Sequence, residues 1–71
     1  MWFLFDEEKG QYITTVVKLK GGRYALYYRP EPVGCRWVSR RMAERRIDTL
    51  VLSGTLKLDH RVRAVWLEVS R

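Results

Sequence analysis

Residues 11 to 29 read QYITTVVKLK, GG, RYALYYR: two runs of alternating apolar and polar residues joined by a pair of glycines. No other stretch restricts the fold so tightly. Val, Ile, Thr and Tyr favour the pleated, half-buried surface of a sheet. A Gly-Gly pair between such runs marks an antiparallel hairpin, because tight primed turns need positive φ. The spacing predicts strands over 11–20 and 23–29 with a two-residue turn between them.

That turn fixes a register. Lys20 stands opposite Arg23, Leu19 opposite Tyr24, Lys18 opposite Ala25, Val17 opposite Leu26, Val16 opposite Tyr27 and Thr14 opposite Arg29. Side chains alternate along a strand, so Ile13, Thr15, Val17, Leu19, Tyr24, Leu26 and Tyr28 share the expected core face. The other face carries Tyr12, Thr14, Val16, Lys18, Lys20, Arg23, Ala25, Tyr27 and Arg29, with four cations and no acid. Like charges directly opposite one another cost a sheet up to ~1 kcal/mol, and a surface shaped only for solubility mixes both signs. A polyanion reverses that repulsion. Lys18, Lys20, Arg23 and Arg29 are then expected to contact phosphates, and Tyr12 and Tyr27 to stack on bases or sugars. The competing reading is a solvated face whose lysines guard a sheet edge.

Before the hairpin, MWFLF is a short strand with apolar residues toward both faces, expected to be buried on both sides or to lie at an oligomer interface. The polar turn DEEKG (6–10) closes it. After the hairpin, PEPVGC (30–35) breaks the sheet, since proline lacks an amide donor and restricts the residue before it. Residues 37–50, WVSRRMAERRIDTL, carry the only helical pattern, with Ala43, Ile47 and Leu50 on a narrow apolar arc, Met42 to one side of it and Ser39 as N-cap. LVLSG (50–54) looks extended, and 55–69 looks like a second hairpin with a three-residue DHR loop. The predicted order is β-β-β-α-β-β-β: a small single α+β domain over 1–71, an antiparallel sheet with one helix packed on it.

The helix supplies a second basic feature. Arg41 and Arg45 stand one turn apart on its exposed side, and Arg40 flanks them across Glu44. Arg40 and Arg41 fall in the first turn, where the helix dipole disfavours each cation by ~0.3–1 kcal/mol. Against a functional reading, Glu44 can pair with Arg40 and Asp48 with Arg45, which is ordinary helix-surface chemistry. Arg46 is expected to lay its stem on the core and lift its head to solvent.

Charge supports the polyanion reading. The chain carries +6 with a pI near 10, a footprint of nucleic-acid binding. Residues 1–35 hold five cations against four anions, and residues 36–71 hold nine against four. Ten of the 14 cations are arginine, the side chain suited to bidentate phosphate contacts.

Several chemistries lack their residues. One cysteine, Cys35, and one histidine, His60, build neither a disulfide nor a zinc site. Asp59-His60 has no further ligands near it, and Asp6, Glu7 and Glu8 are a solvated turn. No Walker or dinucleotide glycine loop is present, and no pair of groups is set for acid–base work. The expectation is a protein that is not an enzyme and needs no cofactor. MWFLF is far too short to span a membrane or serve as a secretory segment, so a cytoplasmic protein is expected. Trp2, Trp37 and Trp66 are expected in the core, Trp37 being the most exposed.

Together these features predict a small nucleic-acid-binding regulator that grips DNA or RNA through Lys18, Lys20, Arg23, Arg29, Tyr12 and Tyr27, with Arg40, Arg41 and Arg45 extending the patch. The alternative is an interaction module, an inhibitor or adaptor docking on an acidic protein. In that reading MWFLF is an apolar edge strand that adds to a partner's sheet or pairs with its own copy. A homodimer through residues 1–5 also suits so small a core.

Overall fold

Strands β1 (Trp2–Asp6), β2 (Gln11–Lys18) and β3 (Tyr24–Arg29) precede helix α1 (Arg40–Leu52) and strand β4 (Val62–Trp66). They are seen in a computed structural model that describes residues 1–69. The strands form one antiparallel sheet in the order β3-β2-β1-β4, and α1 packs on one face of it through Ala43, Ile47 and Leu50. The α+β class and the single helix are as expected. The order β-β-β-α-β-β-β is not, because the two strands expected directly after the helix do not form among the described residues.

The reason lies at Leu50. Extending the helix to Leu52 buries Leu50 fully beside Ala43 and Ile47. The end is closed by the Gly54 amide on the Val51 carbonyl at 3.0 Å and the Thr55 amide on the Leu50 carbonyl at 2.9 Å. This crossed pair satisfies carbonyls that a helix end otherwise orphans. LVLSG is therefore helix and cap rather than strand. TLKL (55–58) then makes no ladder. Leu56 turns onto the core, and the sequence 62–66 pairs with β1 instead of folding back on 55–58.

Strand β1 thus lies inside the sheet, with β2 on one side and β4 on the other. Its apolar residues cover both faces. Leu4 is buried under the helix, and Phe3 is buried on the opposite face, edge-on to Tyr12 with centroids 6.3 Å apart. Burial on both sides is as expected. An edge position is not: the backbone of MWFLF is already paired on both flanks, so neither strand addition nor a dimer through residues 1–5 finds a free ladder there.

The hairpin differs from expectation by a single residue at its tip. The Leu19 amide donates to the Arg23 carbonyl at 2.8 Å, so the loop holds three residues, Lys20, Gly21 and Gly22, with both glycines at positive φ. Lys18 then pairs with Tyr24, Val17 with Ala25, Val16 with Leu26 and Thr15 with Tyr27. A slip of one flips every side chain of one strand to the other face. A bulge at Thr14 adds a second residue of offset, after which Ile13 pairs with Tyr28 and Tyr12 with Arg29. Ile13, Tyr24, Leu26 and Tyr28 therefore keep their expected helix-side positions, while Thr15 and Val17 turn outward and Val16 and Lys18 turn toward the helix side.

The bulge receives the connection to the helix. The Thr14 hydroxyl donates to the Tyr27 carbonyl at 3.4 Å, and the Thr14 carbonyl accepts the Cys35 amide at 3.0 Å. Two residues on, Trp37 exchanges both backbone bonds with Trp2, at 2.8 and 2.9 Å. Residues 35–37 thereby fill the gap where β2 leaves β1, and Ser39 caps the helix by accepting the Met42 amide at 3.2 Å.

Candidate nucleic-acid interface

The sheet has one face covered by α1 and one face that is open in that no helix covers it; on it Phe3 is buried and Phe5 and Tyr12 are half-buried. Following the register across all four strands, Arg29, Tyr12, Phe5 and Arg63 stand in one row on the open face. Neighbouring strands lie about 4.8 Å apart, so the two arginines bracket two aromatic rings over about 14 Å. The Phe5 and Tyr12 rings meet edge to face, with centroids 4.9 Å apart at 64°, a geometry that fixes both. In the next row Tyr27 stands beside Thr15 and is 57 % exposed. The strand residues facing this side include no carboxylate. Arg63 reaches the Glu7 carboxylate only at 3.8 Å, with both side chains substantially exposed, a contact that holds little energy.

The residues expected to form one acid-free patch are divided. Tyr12, Tyr27 and Arg29 share the open face as expected. Lys18 leaves that face for the helix side, opposite Tyr24. Lys20 sits in the exposed turn, and Arg23 is no longer its cross-strand partner. The Arg23 guanidinium instead donates to the Gly54 carbonyl at 3.4 Å, beside the helix C-terminus, where the dipole is negative. The expected Lys20–Arg23 confrontation is thus absent, and Arg23 has a local electrostatic role.

The helix arginines do not extend the open face, because α1 lies on the other side of the sheet. Arg40 pairs with Glu44 at 2.7 Å and lies over the Trp2 ring, 5.8 Å from its centroid. Arg41 and Arg45 are exposed on the helix. The Arg45–Asp48 pair is not formed, and Arg46 is half-buried, as its predicted snorkelling requires.

Two members of the row, Phe5 and Arg63, were missed by sequence reasoning. Their membership depends on which strands flank β1, and no local pattern encodes that. Trp66 also departs from expectation. It is 57 % exposed at the end of the edge strand β4, whereas Trp37 is half-buried.

Among the described residues one titratable group is displaced. Burial, and then the negative charge of nearby Asp6, push the Tyr28 hydroxyl above the usual tyrosine value. Asp6 is itself buried, and its Oδ1 accepts the Glu8 and Lys9 amides at 2.9 and 3.1 Å. The Lys9 ammonium lies 4.9 Å from the Tyr28 ring centroid. This group closes the β1–β2 turn onto the helix side of the sheet and is structural. No helix among the described residues is long and apolar enough to cross a membrane. No protein-family model matches the chain, and no curated protein or solved structure matches it either.

Proposed function

We propose that the protein binds single-stranded nucleic acid on the open face of its sheet. The observation that carries this reading is the row Arg29–Tyr12–Phe5–Arg63, with Tyr27 beside it, no carboxylate among the strand residues of that face, and Glu7 reaching Arg63 only at 3.8 Å. Unstacked bases lie against exposed rings whatever their identity, and flanking guanidiniums take the phosphates. A broad sheet offers neither a protruding helix nor a ribbon to enter a duplex groove, so the reading favours single strands and little base selectivity. The net charge of +6 adds long-range attraction.

Fluorescence anisotropy with short DNA and RNA oligonucleotides, repeated across salt, tests it. Two phosphates neutralised on a single strand give a log–log salt slope of about −1.4. Arg29→Gln with Arg63→Gln is expected to flatten that slope toward zero. No binding at low salt, or equal affinity for duplex and single strand, would sink the reading.

The alternative, a module docking on an acidic protein, is favoured by one observation. Strand β4 is an edge and displays Trp66, so strand addition moves there from residues 1–5. A stoichiometric partner retained after nuclease treatment and lost on Trp66→Lys would establish it.

A further inference from the structure

On the helix side, α1 bounds a groove that the open sheet face does not use. Met42, Arg45, Arg46 and Thr49 recur at i, i+3, i+4 and i+7 and so stand on one side of the helix. With the half-buried Trp37 they line a shallow, open depression of about 290 Å³. Two guanidiniums and no carboxylate line this space. Among the described residues neither Arg45 nor Arg46 is ion-paired, and no cation lies over the Trp37 ring. The other flank of the same helix differs, since there Arg40 is held by Glu44 and covers Trp2.

An aromatic ring, a polarizable thioether 48 % exposed and two unpaired guanidiniums form a site for a planar ring that carries an anion. Indole and thioether take the flat surface, and the guanidinium forks take a phosphate bidentately. The Thr49 hydroxyl already donates to the Arg45 carbonyl at 3.0 Å, so it lines the wall and leaves the phosphate to the arginines. The volume is just below the usual range for small-ligand sites, in keeping with a shallow site for a single nucleotide.

We propose that this groove binds a nucleoside phosphate, its base against Trp37 and Met42 and its phosphate on Arg45 and Arg46. In naming a nucleotide as the occupant, the proposal rests on the nucleic-acid reading, although the two sites share no residue. The nucleotide is either free or a unit of a longer strand.

NMR titrations of the isotope-labelled full chain separate these cases. The probes are a nucleoside monophosphate, the nucleoside without phosphate, inorganic phosphate and a short single-stranded oligonucleotide. The monophosphate is expected to move the Trp37 indole signal and the amides of 42–49 saturably, with affinity at least about tenfold above that of the nucleoside, the worth of one charge-assisted contact, and about tenfold above that of phosphate, the worth of stacking one base. Arg45→Gln with Arg46→Gln, which keeps the stems packed, should weaken it by about the same factor. Groove signals that also move with the oligonucleotide assign the strand as the source, and signals that move with the monophosphate alone assign a free nucleotide. If neither probe moves the groove, or inorganic phosphate binds as well as the nucleotide, the groove proposal fails. Oligonucleotide shifts confined to Tyr12, Tyr27 and Arg29, with the groove silent to the monophosphate as well, overturn the groove while keeping the open face. Groove shifts with the open face silent do the reverse.

Discussion

The Thr14 carbonyl oxygen occupies the place where a Cβ on Gly34 would stand, and Gly34 sits at a φ of +79°. The contact occurs where the β2 bulge receives the connection to the helix. Both restraints act on one position: the backbone angle disfavours any L side chain, and the space is already filled by a backbone atom that is hydrogen-bonded to Cys35.

Gly34→Ala is accordingly expected to cost about 2–4 kcal/mol, a large share of what so small a domain holds. Gly21→Ala is the control. Its φ is also positive, but nothing lies within reach of an added methyl, so only the angle is strained, at about 1–2 kcal/mol. Urea midpoints of the two variants should separate clearly. Equal losses would mean that the Thr14 contact contributes nothing.

Leu50 and Leu52 test where the helix ends. Leu50→Ala empties a fully buried position and should cost about 2–5 kcal/mol. Leu52→Ala changes a side chain that is 88 % exposed on the last helical turn and should stay within about 0.5 kcal/mol. A strand over 50–54 puts Leu50 and Leu52 on one face and predicts similar losses for both, so thermal or urea unfolding decides.

The raised hydroxyl pKa of Tyr28 carries a pH dependence. The folded state holds this proton more tightly than the unfolded chain does, so its contribution to stability is complete below about pH 10, the unfolded value. It is lost as pH rises through the higher folded value. Tyr28→Phe removes the titration. The difference in urea stability between wild type and Tyr28→Phe should be flat from about pH 7 to 9 and change only in the alkaline range. A difference that varies near neutrality would contradict the assignment.

Binding should follow the faces. Lys18→Glu with Lys20→Glu alters cations that lie off the open face and should weaken oligonucleotide binding only through net charge, by severalfold at low salt and little near 0.15 M. Arg29→Glu with Arg63→Glu should weaken it by about a hundredfold, as expected for two charge-assisted contacts. Anisotropy at two salt concentrations compares them. The reverse ranking would place the strand on the helix side.

Much of this architecture was legible in the chain. Alternation from Gln11 to Lys18 and from Tyr24 to Arg29 gives the hairpin, Ser39 and the 43/47/50 spacing give the helix start and its buried stripe, and the two-sided apolar run at residues 2–5 gives the doubly covered strand. What failed depends on single-residue offsets and on distant partners. Gly21-Gly22 accommodates a two- or a three-residue loop, and nothing local chooses between them. The Thr14 bulge arises because Cys35 and Tyr27, both far along the chain, take up its polar groups. Gly54 was a readable helix stop, but the β-branched and apolar run before it suits strand and helix alike. For the candidate site, Tyr27 and Arg29 were found because β3 faces as expected, and Tyr12 because the bulge at Thr14 restores the face that the turn had shifted along β2. Phe5 and Arg63 required knowledge that β4 docks on β1.

The Thr14 bulge makes the segment between sheet and helix a strut instead of a tether. A run of hydrogen bonds leads from the Tyr27 carbonyl through the Thr14 hydroxyl and carbonyl to the Cys35 amide, and two residues later Trp37 pairs with Trp2 through the backbone. Tyr27 looks out of one side of the molecule and Trp37 borders the groove on the other. The hairpin and the wall of the groove are therefore tied through one short, hydrogen-bonded segment.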